Sequence, residues 1–419
     1  MTLRLHLEEA TVEPPRALTP AQVATLATVP DLVTITPTGG GLWRLAGRQR
    51  VGTVRLGHGD GAVEMRVRPK LPVRRLLGLL EHDDIWQNRQ ITAATDDLLV
   101  PALTTVFARA TERVLRGGVL HGYVHREDAL TVVRGRIRTS AQLSRRMGLP
   151  TAIEVAYDDY LADIPENRIL LGAIELAQAL PDVAGTTRAL LRHLSARLVG
   201  VAPVRPGAPL PPWRPTRLNE RYVPALRLAE LLLSGASLQQ EGTRAIQIDG
   251  FVLNMAQIFE RFLTRELTTA LPPYGLRCAA QQGHRLDRQK RVLFRPDILV
   301  HRDGRPQAVV DAKYRTLDGV PPTGHLFQLI SYCTALGLTE GHLVYASGTP
   351  SAEPYQIENS DIRVHVHVLD LDQEPADLAN AVATLAERLT ERSGRPAKAT
   401  GSSPPADEID PVSGVRAGT

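Results

Sequence analysis

The stretch that decides the fold of the C-terminal part is FRPDILVHRDGRPQAVVDAKYRT, residues 294–316. Two apolar runs flank the dipeptide Asp303-Gly304, which is a strong signal for a two-residue turn between paired strands. The second run contains Lys313. Of the 49 lysines and arginines in the chain four are lysines, which leaves 45 arginines. The stretch therefore predicts a β-hairpin with an unusual residue type, lysine, on its second strand.

The hairpin is predicted to gather charged side chains at one point. Asp311 and Lys313 are two residues apart on a strand, so their side chains leave the same face. Asp297 follows Pro296, and a proline within a strand indicates an edge or a bend. Because the hairpin folds its two strands together, we expect Asp297 to approach Asp311, with Lys313 beside them.

This cluster of charges predicts a metal site. Two carboxylates at short distance repel each other, and burying them is costly unless a cation lies between them. Magnesium prefers carboxylate and carbonyl oxygens together with water, so we expect Asp297, Asp311 and the backbone carbonyl of Ala312 to hold Mg²⁺. Lys313 would contact the attacking water or the phosphate, since burial tunes the pKa of an ammonium group but not that of a guanidinium. The predicted chemistry is metal-assisted hydrolysis of a phosphodiester.

The order of these residues resembles the PD-(D/E)xK nuclease superfamily. Its pattern is matched here by Pro296-Asp297 and by Asp311-Ala312-Lys313. The resemblance implies a restriction-endonuclease-like α/β fold and a catalytic role for both aspartates and the lysine. The alternative is a surface hairpin with a salt bridge, which would expose Asp311 and Lys313 and would contribute little to stability.

Two predicted helices on either side of the hairpin carry further matches to the superfamily. Glu260 lies at the edge of an apolar stripe, where the superfamily often has an acidic residue, and the resemblance implies a catalytic and metal-binding role. Gln328 and Tyr332 form a Q-x-x-x-Y pattern, which a subset of these nucleases places near the catalytic site. The alternatives are a solvated acid next to Arg261 and an ordinary polar helix face.

Longer segments are similar to the McrC-type subunits of the McrBC 5-methylcytosine-specific restriction system, and the similarity covers most of residues 1–370. The family implies a nuclease subunit that docks on and stimulates an McrB-like AAA+ GTPase partner and cuts double-stranded DNA with modified cytosine. This chain has no P-loop, so a GTPase would belong to the partner. The similar segments are RVRPKL (66–71), HGYVHREDALTVVRGRI (121–137), YDDYLADIPENRIL (157–170) and TRLNERYVPALRLAELLL (216–233).

Two other classes of function stay open at this point. The chain could be a non-catalytic regulator or adaptor of the AAA+ GTPase, with the nuclease fold as a scaffold. It could also be a stand-alone nuclease of the same superfamily, which would cut without a partner or nucleotide.

The patterning predicts a multidomain α+β protein. Short alternating segments between glycine-rich turns indicate a β-rich N-terminal domain at 1–90, which the family resemblance makes the partner-docking domain. Apolar residues at helical spacing predict a helical middle region at 91–240. Alternating strands and helices predict the nuclease domain at 241–392, with a mixed central sheet flanked by helices. The end, 393–419, is rich in Pro, Gly, Ser and Ala and is predicted to be disordered.

Two helix starts are predicted from local signals. The segment at 163–180 is expected to begin with Asp163 as its cap, Pro165 in the first turn and Glu166 completing a capping box. The amphipathic segment FVLNMAQIFERFLTREL, residues 251–267, is expected to be one helix that opens the nuclease domain.

Composition limits the remaining possibilities. The chain has 419 residues, a net charge of +4 and two cysteines, Cys278 and Cys333, with no CxxC pair, which argues against a cysteine zinc site or a disulfide framework. No signal pattern and no apolar run of membrane-spanning length is present, so we expect a cytoplasmic protein with no membrane contact. His365 and His367 share a strand face, and with no third ligand in view exposed strand histidines are predicted.

Overall fold

The computed structural model describes most of the chain. The described residues are 2–80, 99–145, 152–180, 182–205, 207–236, 248–350 and 353–390. The boundaries predicted at 90/91 and 240/241 and the tail predicted at 393–419 lie outside the described residues.

The N-terminal part is rich in strands, as the alternating segments predict. Its helix α1 begins with Thr19 and Pro20, and a capping box joins Thr19 to Gln22 through Gln22 N–H to Thr19 Oγ1 (3.2 Å) and Thr19 N–H to Gln22 Oε1 (3.0 Å). The elements are β1 (Leu3–Glu8), β2 (Arg16–Ala17), α1 (Pro20–Leu26), β3 (Val33–Gly39), β4 (Leu42–Gly47), β5 (Arg50–Leu56), β6 (Val63–Arg68) and α2 (Val73–Leu80).

The middle part contains long buried helices together with a small sheet that the sequence analysis missed. The sheet has the order β7-β9-β8. Every residue of β7 is exposed or half-buried, so the strand lacks the alternation of buried and exposed residues that marks a sheet with one buried face. The elements are α3 (Leu99–Arg116), β7 (Gly122–Leu130), β8 (Arg136–Ile137), α4 (Thr139–Arg145), β9 (Ile153–Leu161), α5 (Pro165–Ala179), α6 (Gly185–Ala196) and α7 (Val223–Ala236).

The start of α5 corrects one local prediction. The N-cap position is Ile164, which makes no side-chain cap bond. The carboxylate of Asp163 instead accepts two bonds from Arg168, from Nε at 2.7 Å and from Nη2 at 2.6 Å. Glu166 accepts a bond from Asn219 Nδ2 at 2.8 Å. The predicted capping box is therefore wrong, because Arg168 of α5 itself binds Asp163 and the neutral side-chain amide of Asn219 binds Glu166.

The C-terminal part contains a six-stranded mixed sheet, with the order β11-β14-β15-β16-β18-β17. β15 pairs antiparallel with β14 and parallel with β16, and β16 pairs parallel with β18. The elements are β10 (Ile248–Asn254), α8 (Met255–Ala270), β11 (Leu276–Ala280), β12 (His284–Arg285), β13 (Leu293–Phe294), β14 (Ile298–Arg302), β15 (Arg305–Leu317), α9 (Thr323–Leu336), β16 (Glu340–Gly348), β17 (Tyr355–Gln356), β18 (Arg363–Val368) and α10 (Pro375–Arg388).

Helices cover both faces of this sheet. On one face Val310 and Val344 pack in the same apolar cluster as Phe259 of α8 and the buried side of α10. On the other face Leu343 packs in a second cluster with Leu329 of α9. Successive residues of a strand point to opposite faces, so each strand contributes to both clusters. The mixed α+β architecture and the helix-flanked mixed sheet are confirmed.

The hairpin at the centre of this sheet forms as predicted. β14 ends at Arg302 and β15 begins at Arg305, so the loop is the dipeptide Asp303-Gly304. Both loop residues have positive φ, 50° and 76°, which is the conformation of the type I′ turn that matches the twist of paired strands.

One strand from the start of the C-terminal part pairs with the N-terminal sheet. β10 pairs antiparallel with β5 and completes the N-terminal sheet β1-β6-β5-β10. Residues 251–254 are therefore strand, and the helix predicted over 251–267 begins only at Met255, where Asn254 caps it. The chain that opens the C-terminal part thus also ties it to the N-terminal sheet. Of the helices in the described ranges, none combines the length and apolarity needed to cross a bilayer.

Candidate active site

The candidate site lies on the α9 face of the six-stranded sheet, where β14 begins. The last cross-strand pair of the hairpin joins Ile298 to Val310, so β15 continues past that edge without β14 beside it. Asp297, Asp311 and Lys313 come together at this point, as the hairpin predicts. Because the hydrogen bonds between β14 and β15 stop here, the edge of β15 has room for these side chains.

Lys313 links Asp311 to helix α9. Its Nζ lies 2.6 Å from Asp311 Oδ2 and donates to Gln328 Oε1 at 2.9 Å. Gln328 in turn donates from Nε2 to the Tyr332 hydroxyl at 2.8 Å. Asp311 is 1% exposed, so the alternative of a solvated surface salt bridge is wrong. The i, i+4 spacing of the glutamine and tyrosine aligns them on one helix face, and their chain of hydrogen bonds fixes the lysine.

Asp297 is held against the backbone of β15. Its Oδ2 accepts a hydrogen bond from the Ala312 N–H at 2.9 Å. The N–H and C=O of one strand residue point to the same edge, so the Ala312 carbonyl is directed towards Asp297 as well. Two oxygen donors and the buried Asp311 carboxylate therefore border the same strand end.

Glu260 lies on α8 near the aspartates but is bound elsewhere. Its Oε1 accepts a hydrogen bond from Gln281 Nε2 at 2.5 Å. Burial raises its pKa, and the negative charge of Asp297 raises it further. The glutamate is therefore within electrostatic reach of the site, while its role as a metal ligand stays a prediction.

Both aspartates have raised pKa values, because Asp311 is buried and Asp297 is half-buried. Burial, opposed by the charge of Lys313 and reinforced by that of Asp297, raises the pKa of Asp311 to about 6. Burial also raises the pKa of Asp297, against the hydrogen bond from Ala312 and the charge of Lys313. Both groups would be easier to ionise with a further positive charge nearby.

The residues present fit a hard divalent cation. Both carboxylate oxygens of Asp311 are buried without a well-aligned hydrogen-bond donor in the described part of the chain, so the contact with Lys313 is a close ion pair. No three His, Cys, Asp or Glu side chains among the described residues stand together in a geometry that could hold one ion. Magnesium commonly uses one or two carboxylates and keeps several waters, so Asp297, Asp311 and the Ala312 carbonyl would be a sufficient set of protein ligands.

Three residues near the site escaped the sequence analysis or were assigned differently. Tyr345 faces Lys313 across the β15–β16 pair, is 1% exposed and contacts His325 Nδ1 through its hydroxyl at 2.8 Å. His325 on α9 is therefore a partly buried neighbour of this tyrosine. The ring of Phe294 stacks on Tyr332, with centroids 5.2 Å apart. Tyr345 and Leu343 are two residues apart on β16, so their side chains point to the same face of the sheet. Only the pairing of β15 with β16 places Tyr345 beside the lysine.

The strand histidines correct another prediction. His367 is 6% exposed, and its Nε2 lies 3.0 Å from Nδ1 of His342, which is 2% exposed. His365 is partly buried, with Nε2 2.6 Å from Glu340 Oε2. Exposure was the wrong expectation because β18 lies inside the sheet and α10 covers this face. Burial lowers the pKa of His367 to about 3 and also lowers the pKa of His342, so these two imidazoles are neutral near pH 7.

The fold and site define an α+β protein whose C-terminal mixed sheet carries two aspartates and a lysine at one strand end. The sequence pattern of the McrBC 5-methylcytosine restriction system component family matches residues 47–346. That match spans well over half of the chain, so the chain belongs to this family. A comparison with curated proteins gives no significant match.

Two solved structures from Thermococcus gammatolerans are similar. One is a refined half-complex from a tetradecameric assembly of McrB AAA+ hexamers with bound McrC, with 18% identity, 92% of this chain and 100% of that chain covered, and a TM-score of 0.52. The other is the McrBC complex, with 20% identity, coverage of 64% and 88%, and a TM-score of 0.40. The first of these supports the overall fold.

Proposed function

We propose that this chain is the nuclease subunit of a modification-dependent restriction complex and that it hydrolyses DNA phosphodiesters with Mg²⁺. The observation that carries the proposal is the ion pair of buried Asp311 with half-buried Lys313, fixed by Gln328 and joined at one strand end by Asp297. Burial of a charged pair is costly, and perturbed carboxylates beside a lysine are typical of functional sites.

Each residue of the site has a distinct role in this reaction. Asp297, Asp311 and the Ala312 carbonyl would hold Mg²⁺, which when bound lowers the pKa of a water and polarises the phosphoryl oxygens. Lys313 directs its ammonium hydrogens at the incoming water and at the charge that develops on the phosphate. Gln328 and Tyr332 hold the lysine in place. Because Glu260 lies within electrostatic reach, its charge would add to the attraction for the cation.

The fold supports assignment to the PD-(D/E)xK superfamily. A mixed sheet with helices on both faces, an acidic residue on the helix before it and a Q-x-x-x-Y helix after it agree with the pattern of that group. The McrBC family membership agrees with a nuclease role.

The partner and the substrate rest on the relatives. In the solved relative, McrC is bound to McrB AAA+ hexamers. We infer a similar AAA+ GTPase partner for this chain, which this chain docks on and stimulates, and double-stranded DNA with modified cytosine as substrate. Cutting would then depend on GTP supplied to the partner.

The experiment is cleavage by the purified complex of this chain with its AAA+ partner, on plasmid DNA with 5-methylcytosine, in Mg²⁺ and GTP. Lys313→Ala and Asp311→Ala are expected to lose cleavage while retaining complex formation. Lys290→Ala and Asp318→Ala, at exposed positions, serve as controls of matched chemistry. Parental cutting by both site variants would overturn the assignment.

The regulator hypothesis is the second candidate, because the solved relative is an McrC bound to McrB AAA+ hexamers. Under that hypothesis the partner's GTPase is stimulated equally by the parent and by Lys313→Ala, and neither complex cuts DNA. The nuclease proposal expects the same GTPase result together with cutting by the parent alone.

A further inference from the structure

The N-terminal sheet contacts the catalytic strand at the residue next to the lysine. The hydroxyl of Tyr314 donates to Glu9 Oε2 at 3.2 Å. The backbone carbonyl of Tyr314 accepts a hydrogen bond from Gln49 Nε2. Tyr314 directly follows Lys313, and residues far away in sequence hold both its side-chain hydroxyl and its backbone carbonyl.

Tyr314 lies in a β-bulge. The pairing of β15 with β16 advances from Lys313 to Thr316 while the partner strand advances only from Tyr345 to Ser347, so β15 contains one extra residue here. After the bulge the ladder resumes, and Thr316 Oγ1 lies 2.8 Å from Ser347 Oγ. Bulges next to active sites re-aim side chains, and Lys313 is the last paired residue before this one.

Gln49 connects the bulge to the start of α8. Its backbone carbonyl accepts a hydrogen bond from Met255 N–H at 3.0 Å, while its side chain binds the Tyr314 carbonyl. The Tyr314 ring packs near Phe259 of the same helix, with centroids 6.3 Å apart. The contact thus joins the N-terminal sheet, α8 and the catalytic strand at one place.

Glu9 is an unusual residue for a purely structural contact. It is 0% exposed, its Oε1 has no hydrogen-bond donor in the described part of the chain, and Oε2 receives only Tyr314 and the Lys70 N–H at 3.4 Å. Burial, opposed by Lys70 and Tyr314, raises its pKa to about 7. A leucine would fill a similar volume without the unsatisfied Oε1 atom. The buried carboxyl therefore costs stability that an apolar side chain at this position would not cost.

We propose that Glu9 is a positioning residue for the candidate nuclease site: by holding the Tyr314 hydroxyl it fixes the bulge in β15 and thereby the direction of Lys313. The inference rests on the proposed function. Because Glu9 directly follows β1, a displacement of the N-terminal sheet would also disturb the catalytic lysine.

The test compares Glu9→Leu, Tyr314→Phe, their double variant and Glu9→Gln in the full chain with its partner. We expect the two single variants to lower kcat for DNA cleavage by about tenfold, the size of one hydrogen bond of about 1.4 kcal/mol, with KM for DNA unchanged. The double variant should be no slower than either single variant, because both remove the same contact. Glu9→Gln keeps an acceptor for the tyrosine and should restore most of kcat. Glu8→Leu, at an exposed neighbour, is the control.

Hydrogen exchange of the full chain gives a readout that needs no cleavage. Amides of residues 312–316 should exchange faster in Glu9→Leu and in Tyr314→Phe, to the same extent in the double variant, and at the parental rate in Glu9→Gln. Parental kcat in Glu9→Leu, or additive losses in the double variant, would overturn the proposal. If the parental complex does not cut DNA, the proposed function fails, and unchanged exchange in the variants would then overturn the link itself.

Discussion

Replacing Lys313 by methionine tests the electrostatics of the site directly. The ammonium lies 2.6 Å from Asp311 Oδ2, and at an effective dielectric constant of about 20 their attraction is about 6 kcal/mol. Even with this attraction, burial raises the pKa of Asp311 to about 6. Without the ammonium the pKa must rise further, so in Lys313→Met we expect a protonated, neutral Asp311 at pH 7 that binds cations weakly.

The loss of cleavage should be large. The variant loses both an ionised metal ligand and the donor that stabilises charge on the phosphate, and removing one such donor typically costs about 100-fold or more in kcat. Lys313→Arg keeps the charge but replaces a compact ammonium by a planar fork, so its cleavage should also be crippled while cation binding is better preserved.

The assay is single-turnover cleavage of methylated plasmid with the partner and GTP, together with calorimetric titration of Mn²⁺ at pH 7 and pH 8.5. Weakened Mn²⁺ binding at pH 7 that recovers at pH 8.5 is the signature of a protonated Asp311. Lys290→Met and Lys290→Arg, on an exposed turn, are the matched controls. Parental cleavage by Lys313→Met at pH 7 would refute the reasoning.

Three further predictions concern pH and positioning. In the parent, cation affinity should fall about tenfold per pH unit below the pKa of Asp311, about 6, because each ion must displace a proton; calorimetry showing constant affinity down to pH 5 would contradict this. Glu9 has its pKa raised from 4.5 to about 7 in the folded chain, so its contribution to stability is present below pH 4.5 and is lost as the pH rises through 7. Urea unfolding should therefore show Glu9→Gln gaining about 3 kcal/mol on the parent between pH 4 and pH 8, and a constant difference would argue against the buried carboxyl. Gln328→Leu removes an acceptor from Lys313 and should slow cleavage by about tenfold or more, whereas Tyr332→Phe, which only supports the glutamine, should have a smaller effect; equal kinetics of both variants and the parent would exclude the positioning chain.

Much of the local structure followed from short-range patterns. The Asp303-Gly304 turn forced the hairpin, and the two-residue spacing put Asp311 and Lys313 on one face. The i, i+4 spacing likewise aligned Gln328 with Tyr332. These features depend on backbone geometry over a few residues, so the sequence contains all that is needed to predict them.

Other features depended on competition between distant partners. Glu260 is bound by Gln281, His367 is buried and His365 is partly buried, because neighbouring elements cover them. β10 joined β5, about two hundred residues earlier, where its backbone groups completed a sheet edge. Periodicity within one segment carries no information about which distant edge is free.

The sequence by itself determined the hairpin, the helices around it and the identity of the aspartates and the lysine. Only the tertiary structure decided that Asp311 is buried, that Gln328 holds the lysine, and that Glu9 reaches Tyr314 from the other end of the chain. The physical reason is that strand and helix periods are local, whereas burial and the pKa values that follow from it are properties of the packed whole.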